Sequence, residues 1–243
     1  MIRFDEADDP RRRLLIQALT AGLFGTVMPG GGTLAAEVFG TGSSKLPAGR
    51  SIYRLSGKVL VNGNPATLDT RIVAGDTVET LTDGEIIFVV GGNSMIMHGG
   101  SRMEIQTKQK NSMFIDGLRM LTGKLLSVSR NRAMQVSTTT ATIGIRGTGF
   151  YVESDPQQTY FCTCYGASEV AANDDKESKE TVVSLHHDKP LYILAGAKPG
   201  QSIRGAPFIN HTDQELMLIE SLVGRTTPFV FPGDNYNAPR RDY

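Results

Sequence analysis

From Ile52 onward the chain consists of short β-rich runs separated by glycine and asparagine turn signals, and this alternation limits what it can fold into. One run, Gly57 to Val61, ends at Asn62-Gly63, and another, Ile86 to Val90, ends at Gly91-Gly92. Runs of this length, rich in β-branched and aromatic residues and bounded by such turns, are typical of strands. Helices of normal length do not fit between them. The pattern predicts an all-β body.

Some runs are apolar throughout, whereas others alternate between apolar and polar residues. Both patterns fit a compact two-sheet sandwich, and both fit a short β-solenoid-like body, so the two architectures stay open.

A single helix is predicted near the C-terminus. Thr212 and Glu215 form a capping-box pattern, apolar residues follow at helical spacing, and Gly224 ends the segment.

The charge balance and the absence of catalytic motifs exclude several classes of function. Lysine plus arginine and aspartate plus glutamate number 25 each, so no basic field would attract nucleic acid. The sequence has no Gly-x-Ser-x-Gly elbow, no His-Glu-x-x-His and no Walker loop. We therefore expect a non-enzymatic protein with no resident cofactor, unless its cysteines bind zinc or copper.

The N-terminal residues have the order of a bacterial signal peptide. Arg11 and Arg12 precede an apolar stretch, Leu14 to Met28, that is shorter than a membrane-spanning helix. The arginine pair resembles the twin-arginine signature and predicts export to the periplasm, with only transient membrane contact. Anchoring in the inner membrane by an uncleaved signal is the alternative. The predicted division is a signal peptide (1–36), a linker (37–50), a β domain (51–171), a β extension (172–211), and a C-terminal helix with an extended tail (212–243).

Two cysteines and a histidine pair are the one candidate for chemistry. Cys162 and Cys164 lie two apart in a β-rich run, which puts both thiols on one face of a strand. His186 and His187 follow a second run, and only one of these neighbours can easily reach that face. Two thiolates and an imidazole suit zinc or copper, or the pair could serve thiol redox chemistry. A buried thiol pair or a local disulfide is the structural alternative. His98 and His211 are isolated in sequence and read as turn or cap residues.

Three segments, in order, resemble the FecR domain family over about Ser56 to Ala171. The first holds Gly75, Asp76 and Thr80 in a turn before a strand, and the second is Gly117 to Val128. The third, residues 139–152, resembles the family's threonine-alanine segment followed by arginine-glycine-threonine and an aromatic strand. Its motif residues are Arg146, Gly147, Thr148 and Phe150.

The resemblance implies a module that works outside the inner membrane, commonly the sensing half of a pathway that reports to a sigma factor. Only about a dozen residues precede the apolar stretch here, too few for the family's folded cytoplasmic anti-sigma segment. The expectation is a stand-alone exported module in envelope signalling that binds an envelope protein or a small ligand. A structural component of the envelope is a further alternative.

Overall fold

The structure is a computed structural model that describes residues 45–108 and 114–229, except for the side chains of residues 130–132 and 148. The predicted signal peptide with Arg11 and Arg12, residues 37–44 of the linker and residues 230–243 of the tail lie outside the described residues. The strands are β1 (Ile52–Ser56), β2 (Val59–Val61), β3 (Asn64–Pro65), β4 (Thr77–Thr80), β5 (Glu85–Val90), β6 (Asn93–Met97), β7 (Ser101–Gln106), β8 (Gly117–Ser137), β9 (Ala141–Ser154), β10 (Gln158–Ala172), β11 (Lys179–Ser184), β12 (Leu191–Leu194) and β13 (Ile203–Gly205). The predicted β body is confirmed in so far as the fold is mostly β.

These strands join one antiparallel sheet that curls until it closes on itself. β1 pairs with β5, β5 with β6, and β6 and β7 both pair with β8; β7 then pairs with β4, and β4 with β2. Because β2 follows β1 after Gly57 and Lys58, this path forms a closed barrel, with further strands outside it. Gly57 has a φ of +59°, and a Cβ there would lie 2.1 Å from the Asp83 carbonyl oxygen. The curled sheet takes the place of the sandwich and the solenoid that the sequence left open.

Both faces of the sheet are buried in its central part. Successive residues point to opposite faces, so Phe88 and Phe161 enter the barrel core while their neighbours Ile87 and Cys162 pack outside it. We call the outside cluster the outer face. Its fully or nearly fully buried members on the sheet are Ile87, Ile96, Leu126, Val128, Tyr151, Tyr160, Cys162, Cys164 and Tyr165.

The outer face is covered by helix α1 (Asp213–Leu222), which the sequence predicted. The Thr212 hydroxyl accepts a hydrogen bond from the Glu215 backbone N–H, and the Glu215 carboxylate accepts one from the Thr212 N–H, forming a capping box. Leu216, Ile219 and Leu222 are buried against the sheet, and burying each contributes about 1.5–3 kcal/mol. In the part of the chain described, no helix is long and apolar enough to cross a membrane.

Candidate metal centre

Four side chains meet beneath the start of α1 on the outer face. They are Cys162, Cys164, His187 and His211, and their potential ligand atoms all lie within 4.8 Å of one another. Both cysteines and His211 are completely buried, and His187 is nearly so. Two thiols and two imidazoles enclosed in this way form the donor set that tetrahedral zinc sites use.

The two thiols come from the middle of β10. They share the outer face, as the period of a strand predicts, and both are free cysteines. The pairing of β10 with β9 shifts register on either side of Tyr165, immediately after Cys164. Such a bulge bends a strand locally and re-aims its side chains. Tyr165 accordingly also lies on the outer face, directly after Cys164.

His187 lies in the turn between β11 and β12, and this turn is fixed to β10. The His187 N–H donates to the Cys164 carbonyl at 2.9 Å, and the Asp188 carboxylate accepts backbone N–H bonds from Leu185 and His186. His187 has a φ of 55°, in the left-handed region that residues other than glycine seldom occupy. Strain of this kind persists where the surrounding structure holds a residue in place, often at functional sites.

His211 reaches the cluster from residues 206–211, an irregular segment that leads into α1. The Tyr160 hydroxyl donates to the Pro207 carbonyl and accepts from the Ile209 N–H, at 3.0 and 3.2 Å. The His211 ring stacks on Tyr151, with ring centroids 4.4 Å apart and planes 18° from parallel. Phe208 packs against both imidazoles, at 4.4 Å from His187 and 4.5 Å from His211. The aromatic rings therefore shield the cluster from water.

Hydrogen bonds on the far side of each imidazole determine which nitrogen faces the cluster. His211 Nδ1 lies 2.7 Å from the Ile209 carbonyl oxygen, which can only accept, so Nδ1 carries the proton. His187 Nε2 donates to Asp213 Oδ1 at 3.0 Å. His211 Nε2 and His187 Nδ1 are thus the atoms that face inward. Histidine ligands to metals are usually oriented in this way, by a carbonyl or carboxylate behind the ring.

Electrostatic interactions in the cluster favour a negative charge on Cys162 and a positive charge on His187 despite burial. Burial opposes ionisation of Cys162, but hydrogen bonds with Cys164, His187 and His211 hold its pKa well below the usual range. Burial and the neighbouring Cys162 raise the pKa of Cys164. Burial alone would lower the pKa of His187, but hydrogen bonds with Asp213 and Cys162 raise it to about 9. The cluster therefore attracts a positive charge, which a proton supplies when no metal ion is bound.

Three of the distances between the inward atoms match edges of a tetrahedral site. Cys162 Sγ lies 3.4 Å from His187 Nδ1, and Cys164 Sγ lies 3.4 Å from His211 Nε2. The two inward nitrogens are 3.2 Å apart. Zinc bound tetrahedrally, with ordinary Zn–S and Zn–N bond lengths, requires about 3.5 Å between sulfur and nitrogen and about 3.3 Å between nitrogens. These three distances lie within about 0.1–0.2 Å of the tetrahedral values, and all four ligand atoms lie within 4.8 Å of one another.

The structure brings together three of the four residues singled out from sequence. Cys162, Cys164 and His187 face one another, whereas His186 lies behind Asp213 and donates to its carboxylate at 3.0 Å. His211, which the sequence suggested is a turn or cap residue, does lie directly before the cap of α1, but its ring also joins the cluster. The signal that could have identified it is its position directly before the predicted helix cap.

The first family-motif residues stabilise a turn at the start of β4. Gly75 has a φ of 101°, which favours glycine. The Asp76 carboxylate accepts from Asn62 Nδ2 and from the Val73 N–H, each at 2.8 Å. The Thr80 hydroxyl donates to the His98 carbonyl at 2.6 Å. These contacts are structural.

The later motif residues lie in β9. Arg146 forms an exposed ion pair with Glu169 at 2.8 Å, and Gly147 has a φ of 61°. The backbone of Thr148 pairs with that of Ser129 in β8. Phe150 is buried in the barrel core, where its ring stacks on Phe161 with centroids 6.0 Å apart. The motif thus contributes to the sheet rather than to the cluster.

The fold and the cluster define a mostly β protein with one C-terminal helix and a buried group of two cysteines and two histidines. Residues 76–168 match the family described as FecR protein. Cys162 and Cys164 lie within that matched region, whereas His187 and His211 follow it. The centre is therefore completed by the residues after the matched region.

Two solved structures are similar to parts of the chain, and both are of candidate anti-sigma factors from Parabacteroides distasonis ATCC 8503. The first has 15% identity and a TM-score of 0.42, covering 54% of this chain and 58% of its own. The second has 16% identity and a TM-score of 0.32, covering 61% and 59%. This chain therefore spans less than two thirds of either structure. No curated protein matches the sequence.

Proposed function

We propose that this protein is a non-enzymatic metal-binding module, in which Cys162, Cys164, His187 and His211 hold one zinc ion. The observation that carries the proposal is the pair of inward nitrogens 3.2 Å apart, each on a ring whose other nitrogen already donates to an acceptor. Two such nitrogens can lie this close only with a proton or a metal ion between them. The two sulfurs complete a set of four donor atoms within 4.8 Å of one another.

Charge balance favours a divalent ion over copper(I). Two thiolates and two neutral imidazoles carry a charge of −2, which Zn²⁺ neutralises and a monovalent ion would not. An uncompensated charge in a fully buried site is costly. All four positions are filled by protein atoms, an arrangement typical of closed zinc sites rather than catalytic ones, which keep one position open.

The setting we propose is the periplasm, where the module would serve envelope signalling with the metal ion as its small ligand. The support is the predicted twin-arginine signal at Arg11 and Arg12 together with the FecR domain. Replacing both arginines with lysine should leave precursor in the cytosol. Normal secretion of that variant would argue against the twin-arginine route.

The neighbouring histidines offer a matched test of the metal site. The full chain, the His187→Asn variant and the His186→Asn variant would each be purified, loaded with zinc, freed of excess metal and analysed by elemental mass spectrometry. We expect equimolar zinc in the parent and in His186→Asn, and a loss in His187→Asn and in Cys164→Ser. The reason is that His187 contributes an inward nitrogen, whereas His186 only supports Asp213.

Two results would overturn the proposal. One is a parent protein that retains no zinc after loading. The other is equal zinc retention in the His186 and His187 variants. A mass showing a Cys162–Cys164 disulfide in freshly purified parent protein would instead support the thiol-redox alternative.

A further inference from the structure

We propose that the metal ion is a clasp that holds residues 206–223, here called the C-terminal segment, on the outer face of the sheet. Zinc occupancy would then control whether this segment is docked or released. The inference rests on the proposed function, because it assigns a regulatory role to the same centre. It identifies the C-terminal segment as the element whose docking the centre would control.

The ligands are divided unequally between the body and this segment. Cys162 and Cys164 belong to β10, and the turn that carries His187 is tied to β10 by the hydrogen bond from its N–H to the Cys164 carbonyl. His211 alone comes from the C-terminal segment. Release of the segment would therefore leave the ion with three ligands instead of four. It would also separate Asp213 from the ring of His187, whose orientation it fixes.

The segment covers apolar surface that the released form would expose. Leu216, Ile219 and Leu222 are each at most 1% exposed and pack on the outer face, which includes Ile87 and Leu126. A helix of ten residues is marginal on its own in water, so α1 is expected to lose structure once detached. Docking and helix formation are therefore one event.

Hydrogen bonds that do not involve metal also position the segment. The Tyr160 hydroxyl holds the backbone at Pro207 and Ile209, and Asn210 Nδ2 donates to Glu153 at 2.7 Å. Asn210 has a φ of 59°, so the turn before His211 is itself in the left-handed region. These bonds set the geometry, and without the ion they must also hold the two inward nitrogens together.

Zinc binding must then raise the docking equilibrium constant of the C-terminal segment by the same factor by which docking raises the affinity for zinc. A ligand that binds only the docked form suppresses opening by a factor of one plus its concentration over Kd, about 1,000-fold when zinc is 1,000 times Kd. Residual binding by the three remaining ligands would reduce this factor. By the same linkage, whatever releases the segment weakens zinc binding.

Hydrogen exchange on the full chain tests the clasp directly. Exchange of the α1 amides would be followed in zinc-loaded and chelator-treated protein, with the amides of β8 and β9 as the internal reference. We expect zinc to slow exchange in α1 by at least about 10-fold more than in the reference strands, well inside the linkage limit. The His211→Ala variant should bind zinc more weakly and should lose this extra protection.

Measuring zinc content in the same samples separates the two proposals. Zinc bound by the parent with no change in α1 protection would overturn the clasp and leave the metal site intact. No zinc bound would overturn both. Zinc-dependent protection of α1 that persists in His211→Ala would also overturn the clasp, because that variant lacks the ligand on the C-terminal segment. An Ile219→Ala control should loosen α1 in both states yet keep the zinc response.

Discussion

His187 Nδ1 lies 3.2 Å from His211 Nε2, and the ring nitrogen opposite each of these atoms is engaged by an acceptor. For His187 that acceptor is the carboxylate of Asp213, the first residue of α1. Burial opposes the charge of this carboxylate, but hydrogen bonds from His187 and His186 lower the pKa of Asp213. The helix thus begins with the group that orients a ligand of the candidate centre.

Replacing Asp213 with asparagine should weaken zinc binding without abolishing it. The ligand itself remains, but the charged acceptor behind it is lost, a change that typically costs about 10–100-fold in metal affinity. Competition with a zinc-binding dye would measure this. Glu215→Gln is the matched control, because it makes the same change in the same helical turn and a glutamine can retain the capping box. Equal weakening in both variants would mean that Asp213 acts through the helix as a whole.

Local sequence pattern predicted the cysteine half of the centre, whereas long-range packing determined the histidine half. A strand period suffices to place Cys162 and Cys164 on one face. His211 meets Cys164 across 47 residues of chain, and its position depends on Tyr160 and Glu153 holding the irregular segment before α1. No period in the sequence encodes those contacts.

The fold, like the centre, could be predicted in its local elements but not in its long-range pairing. Strands and the capped helix follow from local signals, but closure of the sheet depends on β1 pairing with β5 while β2 pairs with β4. The charged run 174–180 has the composition of a solvated loop, yet Asp175 within it is buried. Its carboxylate accepts from the Ser178 and Ser202 hydroxyls at 2.6 and 2.9 Å, and from the Gly200 N–H at 2.8 Å.

Asp175 should contribute stability that disappears in acid. The hydrogen bond from Ser178, aided by those from Ser202 and Gly200, lowers its pKa from 3.8 to about 2. Because the pKa of Asp175 is lower in the folded protein, its contribution to stability is complete at pH values above its pKa in the unfolded chain. That contribution is lost as the pH falls toward about 2. The stability difference between parent and Asp175→Asn, from urea unfolding of metal-free protein, should shrink over that interval.

The adjacent, exposed Asp174 provides the control for this experiment. Asp174→Asn should change stability little at any pH, because surface substitutions are usually within about 0.5 kcal/mol. A difference between parent and Asp175→Asn that stays constant from neutral pH down to pH 2 would contradict the assignment.

A buried ion pair holds the end of α1, and removing its cation should be costly. Glu220 is completely buried, accepts from Arg225 Nε at 2.6 Å and also accepts from the Tyr165 hydroxyl. Arg225→Met would leave the carboxylate without its charged partner, a loss of about 3–5 kcal/mol. The free energy of unfolding, measured by denaturant titration of zinc-loaded protein, would report it.

The double variant Arg225→Met, Glu220→Gln distinguishes a lost ion pair from lost packing. It removes both charges, so it should be more stable than Arg225→Met alone. If the double variant is the less stable of the two, the arginine contributes mainly through its packing and its hydrogen bond to the Gly92 carbonyl.

Two glycines in β9 should respond differently to the same substitution. A Cβ on Gly149 would lie 2.5 Å from the ring of Tyr165, whereas the nearest atom to a Cβ on Gly144 is 3.8 Å away, at ordinary contact distance. Gly149→Ala therefore has to displace a buried ring on the outer face, and overpacking of this kind costs about 1–3 kcal/mol. Gly144→Ala should be near neutral. Thermal unfolding of both variants with zinc bound gives the comparison, and equal melting temperatures would show that Tyr165 can move aside freely.

The Tyr165 hydroxyl also donates to Glu220, so the Gly149→Ala variant should lose part of the stabilisation at the end of α1. In a variant that already lacks the Glu220 carboxylate, Gly149→Ala should therefore cost less stability.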